Sequence, residues 1–128
     1  MPLKTKENIS LIGAGLSGPV MATYLSSLGF STDIYESRSD MRTNSTSAGR
    51  SINLALSARG IKALKDIGVY EKIKPTLIPM SGRMIHDGNG DVHLQPYGQK
   101  KNEVIYSVPR SNLNKTLMDY AESTNSVN

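Results

Sequence analysis

The segment Gly13-Ala14-Gly15-Leu16-Ser17-Gly18 constrains this chain most, because three glycines in the pattern G-x-G-x-x-G suit a backbone that must turn sharply and stay bare. It follows Asn8-Ile9-Ser10-Leu11-Ile12, a short apolar run that reads as a buried strand. A helix is predicted next, from about Leu16 to Leu28, since Val20, Met21, Tyr24, Leu25 and Leu28 recur at spacings of three and four. Gly29 ends it. Thr32-Asp33-Ile34-Tyr35 reads as a second strand, so the first 36 residues form one strand-helix-strand unit, parallel and with a right-handed crossover.

In such a unit each glycine has its own task. Gly13 permits the tight turn, Gly15 lets the backbone approach a pyrophosphate, and Gly18 lets the helix lie against the strand. Free N–H groups in the first helical turn then face the phosphates, aided by the helix dipole. Glu36 ends the second strand, 18 residues beyond Gly18 and 23 beyond Gly13, where a carboxylate accepts hydrogen bonds from adenosine ribose hydroxyls. Pro19 departs from the pattern. A proline is tolerated in the first turn, yet it biases Gly18 away from helical angles, so a shifted or loosened helix start is expected. Arg38 would suit the 2′-phosphate of NADP, but the neighbouring Glu36 would repel it, so an unphosphorylated ribose is preferred. FAD and NAD both satisfy that requirement.

Composition narrows the remaining classes. With 38% hydrophobic and 20% charged residues among 128, the chain is neither disordered nor collagenous, and it suffices for one domain or part of one. It has no cysteine, which removes disulfides, thiolate metal sites and thiol nucleophiles, and an intracellular setting fits. The uncharged stretch from Asn8 to Thr32 is too rich in Gly, Ser and Thr to span a bilayer. Lys4 and Lys6 before apolar residues imitate a signal peptide, but glycines interrupt the run and no clean cleavage site follows. The net charge of +4 does not point to nucleic acid, because the cations are dispersed and no recognition motif accompanies them.

Further along, Ser37 to Arg50 reads as a polar loop, long enough to be suspected of function. Ser57 to about Asp66 reads as a helix capped by Ser57, with Ile61, Leu64 and Ile67 on one side and Gly68 at its end. Met84-Ile85-His86 and Val92-His93-Leu94 flank Asp87-Gly88-Asn89-Gly90-Asp91, a hairpin signal. Val104 to Val108 is another strand. A last helix runs from Ser111, as cap, to about Glu122, with Leu113, Leu117, Met118 and Ala121 on one face. The polar residues Ser123 to Asn128 suggest no strand, so the expected α/β fold is Rossmann-like, interrupted by a β-hairpin and incomplete at its C-terminal side. His86 and His93 bracket the hairpin without a third ligand, so no metal site is expected there. Arg50 and Arg59 stay unassigned.

Gly49-Arg50-Ser51-Ile52-Asn53-Leu54-Ala55-Leu56-Ser57-Ala58-Arg59-Gly60 resembles the characteristic segment of the kynurenine 3-monooxygenase family of flavin-dependent aromatic hydroxylases. Ile78-Pro79-Met80, Gly82-Arg83-Met84-Ile85-His86, Gln95-Pro96-Tyr97-Gly98, Ile105-Tyr106-Ser107-Val108-Pro109-Arg110 and Leu113-Asn114-Lys115 resemble the same family in the same order. The resemblance runs from Ile9 to about Glu122 and implies an enzyme that uses FAD, NADPH and dioxygen to hydroxylate L-kynurenine to 3-hydroxykynurenine, in tryptophan degradation and the route to NAD. It implies that Ser17, Tyr35, Glu36, Ser37, Arg38, Ala55 and Arg110 contact FAD, and that Arg83 and Tyr97 contact substrate. An arginine fork suits the amino-acid carboxylate and a tyrosine offers ring packing with a hydroxyl. No residue has the constellation of a general base; the flavin carries the chemistry while the protein positions and shields.

The resemblance also implies that residues 1–128 are the N-terminal part of an FAD-binding domain, with 82–108 adding strands to a substrate-side sheet. Gly90-Asp91 lies in a hairpin turn and cannot serve as the second flavin motif, which sits between a strand and a helix. The chain by itself is therefore expected to bind FAD weakly, to turn over nothing, and to aggregate through an exposed sheet edge. A full-length eukaryotic form would carry a C-terminal anchor to the mitochondrial outer membrane; otherwise the setting is cytoplasmic. Two rival readings remain: an NAD-linked dehydrogenase domain, and a non-catalytic remnant or regulatory fragment.

Overall fold

The computed structural model describes residues 7–43 and 52–128. Residues 44–51, and with them Gly49, Arg50 and Ser51 of the characteristic segment and the latter part of the polar loop, lie outside the described residues. Strand β1 (Asn8–Ile12) and strand β2 (Ser31–Tyr35) pair in parallel, Asn8 opposite Ser31 through Ile12 opposite Tyr35. Helix α1 (Ser17–Ser27) connects them. Gly29 stands at φ +91°, a left-handed conformation that closes the helix and that other residues resist.

Pro19 does not loosen the helix start. Helix α1 begins two residues earlier, and the preceding Leu16 already has helical angles. Pro19 is its third residue, where an N–H would have had no helical acceptor, and its ring is buried.

Strand β3 (Asn53–Leu56) is followed by helix α2 (Ala58–Asp66), short helix α3 (Tyr70–Ile73), a 3-10 turn at Lys74–Thr76 and strand β4 (Ile78–Met80). Strands β5 (Gly82–His86) and β6 (Val92–Pro96) form the hairpin, and strand β7 (Ile105–Pro109) leads into helix α4 (Arg110–Glu122). β7 lies between β3 and β4 and is antiparallel to both. Ser57 occupies the cap position of α2 without a side-chain cap bond. Ser111 is not a cap: α4 starts at Arg110, and Pro109, extended at φ −63° and ψ 124°, takes the cap position.

The polar tail also behaves differently from expectation. Val127 bridges Thr32 in parallel, with Thr32 N donating to Ser126 O at 2.8 Å, Asn128 N to Thr32 O at 2.9 Å and Ile34 N to Asn128 O at 2.7 Å. These bonds use only the backbone, which is why a polar sequence supports them. Val127 then packs with Ala22 and Ala121 beside Leu11 and Ile34. A larger core gathers Leu64, Val69, Ile73, Val108, Leu113 and Leu117 between α2, α3, β7 and α4. No helix among the described residues is long and apolar enough to cross a membrane.

Candidate functional site

The glycine-rich loop runs from the end of β1 into α1, and its three glycines meet three different surroundings. Gly13 stands at φ +102°, and its N–H donates to Tyr35 O at 2.7 Å, turning the chain at the sheet's edge. A Cβ on Gly18 would lie 2.1 Å from Gly13 O, so only a bare α-carbon lets α1 approach the loop this closely. A Cβ on Gly15 would meet nothing within 4 Å. The backbone is therefore bare and open at the second glycine, and filled at the third.

Ala14, between them, is held on both sides. Its N–H donates to Glu36 Oε2 at 2.9 Å, and its carbonyl accepts from Asn114 Nδ2 at 2.9 Å. Glu36 thus sits at the mouth of the glycine loop. Arg38 fills its remaining lone pairs: the Arg38 backbone N–H and Nε donate to Oε1, each at 3.0 Å, and Nη2 to Oε2 at 3.2 Å. The guanidinium first, then the Arg38 and Ala14 N–H groups, hold the Glu36 carboxyl far below the usual carboxylate range. It is an acceptor at any physiological pH. A ribose hydroxyl seeking it must displace the exposed Arg38 side chain.

Beside Glu36 lies a cavity of about 140 Å³ walled by Ala14, Arg38, Met41, Asn114 and Met118 among others. Its outer wall is fixed by Arg42, which donates to Asp40, Asp119 and Glu122 at 2.6–3.1 Å and so ties the loop after β2 to α4. Asp40 is lowered to about 2, chiefly by the Arg42 side chain and then by its backbone N–H, and Glu122 is also lowered by Arg42. Both carboxyls have native values below their unfolded ones, near 4. Asp40's contribution is full above about pH 4 and is lost as pH falls toward 2, and Glu122's weakens in the same direction. The thermal midpoint is accordingly expected to hold from pH 7 to 5 and to drop between pH 4 and 2. Arg42→Met should lower it at pH 7 and flatten that drop, which calorimetry across the range checks.

The other residues singled out in the sequence fall in three places. Ser17 is the first, exposed residue of α1; Tyr35 ends β2, with exposed Ser37 and Arg38 just beyond. Ala55 faces Ser107 across the β3–β7 ladder, and Arg110 N donates to Ile52 O at 2.9 Å at the end of that ladder. Arg110 is the exposed first residue of α4, one helical turn before Asn114. Arg83 and Tyr97 belong to the hairpin. Arg83 faces Gln95, with Nε donating to Oε1 at 2.7 Å, and Tyr97 lies just past the end of β6, its N–H donating to Ser81 O at 3.0 Å. Gly90-Asp91 lies in the hairpin turn, with Gly90 N donating to Asp87 O.

Asn114 is the residue whose part in the site sequence reasoning missed. Its signal was a polar side chain on the buried face of α4, among Leu113, Leu117 and Ala121.

Known proteins resemble this chain in sequence and in fold. Kynurenine 3-monooxygenase of Cytophaga hutchinsonii is 48% identical over 120 residues, covering 92% of this chain and 26% of that protein. The enzyme of the same name from Legionella pneumophila (strain Corby) is 45% identical over 116 residues, with 91% and 26% covered, and that of Anopheles gambiae 45% over 115, with 90% and 24% covered. The chain spans about a quarter of the length of these relatives. Among solved structures, the tetrameric form of 2-methyl-3-hydroxypyridine-5-carboxylic acid oxygenase superimposes with a TM-score of 0.78 at 17% identity, over 97% of this chain and 31% of that one. p-Nitrophenol 4-monooxygenase from Pseudomonas putida superimposes with a TM-score of 0.73 at 15% identity, over 98% and 31%. These two establish the fold. A family profile described as the FAD binding domain matches residues 6–128, and with the bare loop and its carboxylate in place, the chain belongs to the FAD binding domain family.

Proposed function

We propose that the chain forms the adenosine-diphosphate side of the FAD site in an NADPH-consuming monooxygenase that converts L-kynurenine to 3-hydroxy-L-kynurenine. The observation that carries this reading is the bond between Glu36 Oε2 and Ala14 N, which puts the ribose acceptor and the open, side-chain-free Gly15 in one place. The choice of substrate is supported by the relatives bearing that enzyme name at 45–48% identity. Bound FAD would supply electron transfer from NADPH and activation of dioxygen.

The chain's own residues bind and orient. The N–H groups at Gly15 and the start of α1, including Ser17, face the diphosphate, and Pro19 gives up none that the helix needed. Glu36 takes the ribose hydroxyls, with Tyr35, Ser37 and Arg38 around it, while Ala55 and Arg110 meet the cofactor from the β3–β7 side. On the hairpin, Gln95 holds Arg83 Nε and leaves the Nη groups to grip the carboxylate of kynurenine, next to Tyr97. Residues 82–108 thereby serve the substrate side. The sequence's one Gly-Asp pair sits in the hairpin turn, so the 128 residues are expected to hold FAD weakly and to hydroxylate nothing unaided. In a longer eukaryotic form, membrane attachment would come from residues outside this chain.

The test is a pair of titrations on the purified chain, following flavin fluorescence for FAD and heat for NAD. FAD should bind at least about tenfold more tightly, a margin of ~1.4 kcal/mol. NAD binding as tight as or tighter than FAD would replace this reading by the dehydrogenase one, and binding of neither would leave a non-catalytic remnant.

A further inference from the structure

Asn114 carries a primary amide into the core face of α4, where only 3% of the residue stays exposed and its buried helix neighbours are Leu113, Leu117 and Ala121. A buried amide weakens a core unless a specific partner needs it. Here the partner is the carbonyl of Ala14, 100 residues away in sequence, which accepts from Nδ2 at 2.9 Å. The sulfurs of Met41 and Met118, each 3.4 Å from the same nitrogen, are soft neighbours that leave the carbonyl as its one strong acceptor among the described residues.

The peptide joining Ala14 to Gly15 is planar and trans, so the Gly15 N–H points opposite to the Ala14 carbonyl. A donor that holds the carbonyl toward α4 therefore holds the Gly15 N–H away from it. Glu36 fixes the preceding peptide through Ala14 N, so the two bonds together leave this stretch of loop no free rotation. Building on the FAD reading, we infer that Asn114 is a positioning residue: by anchoring the Ala14 carbonyl it presets the Gly15 N–H as a donor to the cofactor's diphosphate. Without it the loop would have to order this peptide during binding, and affinity would fall by that amount.

Asn114→Leu keeps the volume and removes the donor; the unpartnered Ala14 carbonyl should lower the thermal midpoint by several degrees, so binding is measured at a temperature where circular dichroism shows the variant folded. Affinity for FAD and for ADP should fall about ten- to a hundredfold, the worth of one hydrogen bond to a charged acceptor, while affinity for adenosine, which lacks phosphate, should not change. An equal loss for adenosine, or unchanged FAD affinity in a folded variant, overturns the inference. Because the substitution leaves the Ala14 carbonyl without a partner and the variant can unfold, a second measurement uses the wild type. Saturating FAD should move the Gly15 amide proton and leave the Asn114 side-chain amide protons at their free-state shifts. Their movement on binding would show that the anchor breaks, and would equally overturn it. Failure of the FAD reading shows separately, as wild-type chain that binds no FAD.

Discussion

Gly18→Ala is expected to lower the thermal midpoint by about 5–15 °C and to abolish flavin binding. The added methyl would stand 2.1 Å from Gly13 O and 3.2 Å from Gly13 C, both backbone atoms held by the Gly13 N–H bond to Tyr35. No side chain can rotate away to make room. Helix α1 must tilt off the loop, and with it the buried Pro19 and Ala22 that pack its inner face. Overpacking of this kind typically costs ~1–3 kcal/mol, and in a domain of this size each kcal/mol moves the midpoint by about 3–6 °C. Circular dichroism melts of the two proteins measure it directly. A midpoint within two degrees of wild type would mean that α1 and the loop are not in this contact.

Gly15→Ala should do the reverse, leaving the fold alone and removing the ligand. Its Cβ would meet nothing within 4 Å, and Gly15 is not among the glycines with positive φ, so the chain accepts the side chain without strain. The midpoint should stay within a few degrees, because replacing glycine also reduces the freedom of the unfolded chain. The methyl would occupy the bare surface that a diphosphate needs in order to reach the loop N–H groups, each a hydrogen bond to a charged acceptor worth ~1.5–3 kcal/mol. Loss of one or two corresponds to a fall in FAD affinity of at least about tenfold. Fluorescence titration of the variant reads it, and unchanged affinity would remove Gly15 from the site.

These two variants also separate what the sequence made legible. Short strands and helices punctuated by glycine were readable, because Gly13, Gly18 and Gly29 act through local backbone geometry that spacing alone encodes. Strand β3 was not. Asn53–Leu56 is only four residues long and runs directly into a helix, and it becomes a strand by pairing with β7, some fifty residues later. Strand β4 carries Pro79, which argues against a strand until it proves to lie at the edge of its sheet, where a missing N–H is tolerated. The pairing of Ser126–Asn128 with β2 rests on backbone bonds, one side-chain bond from Asn128 Nδ2 to Asp33 Oδ1 at 3.0 Å and the single apolar Val127, too little to form an apolar pattern.

At the site the division is similar. Glu36 stood out by its distance from the glycines, and its bond to Ala14 is what that distance permits once β2 lies beside β1. Its saturation by Arg38, two residues on, was not readable, because it depends on how the chain turns after the strand. The Arg42 cluster and Asn114 are contacts between the loop after β2, the glycine loop and the last helix, so they exist only in the folded chain. Arg83 and Tyr97 are marked by resemblance alone; the register of the hairpin sets Arg83 opposite Gln95 and leaves Tyr97 just beyond its last pair.

In the proposed site the loop and Glu36 together hold the diphosphate and ribose of FAD. A titration of the isotopically labelled chain with FAD, followed residue by residue through backbone amide resonances, tests it most directly. The largest shifts are expected at Gly13 to Ser17 and at Glu36 to Arg38, saturating together with one affinity. Shifts confined to the hairpin or to α2, or none at millimolar FAD, would contradict it.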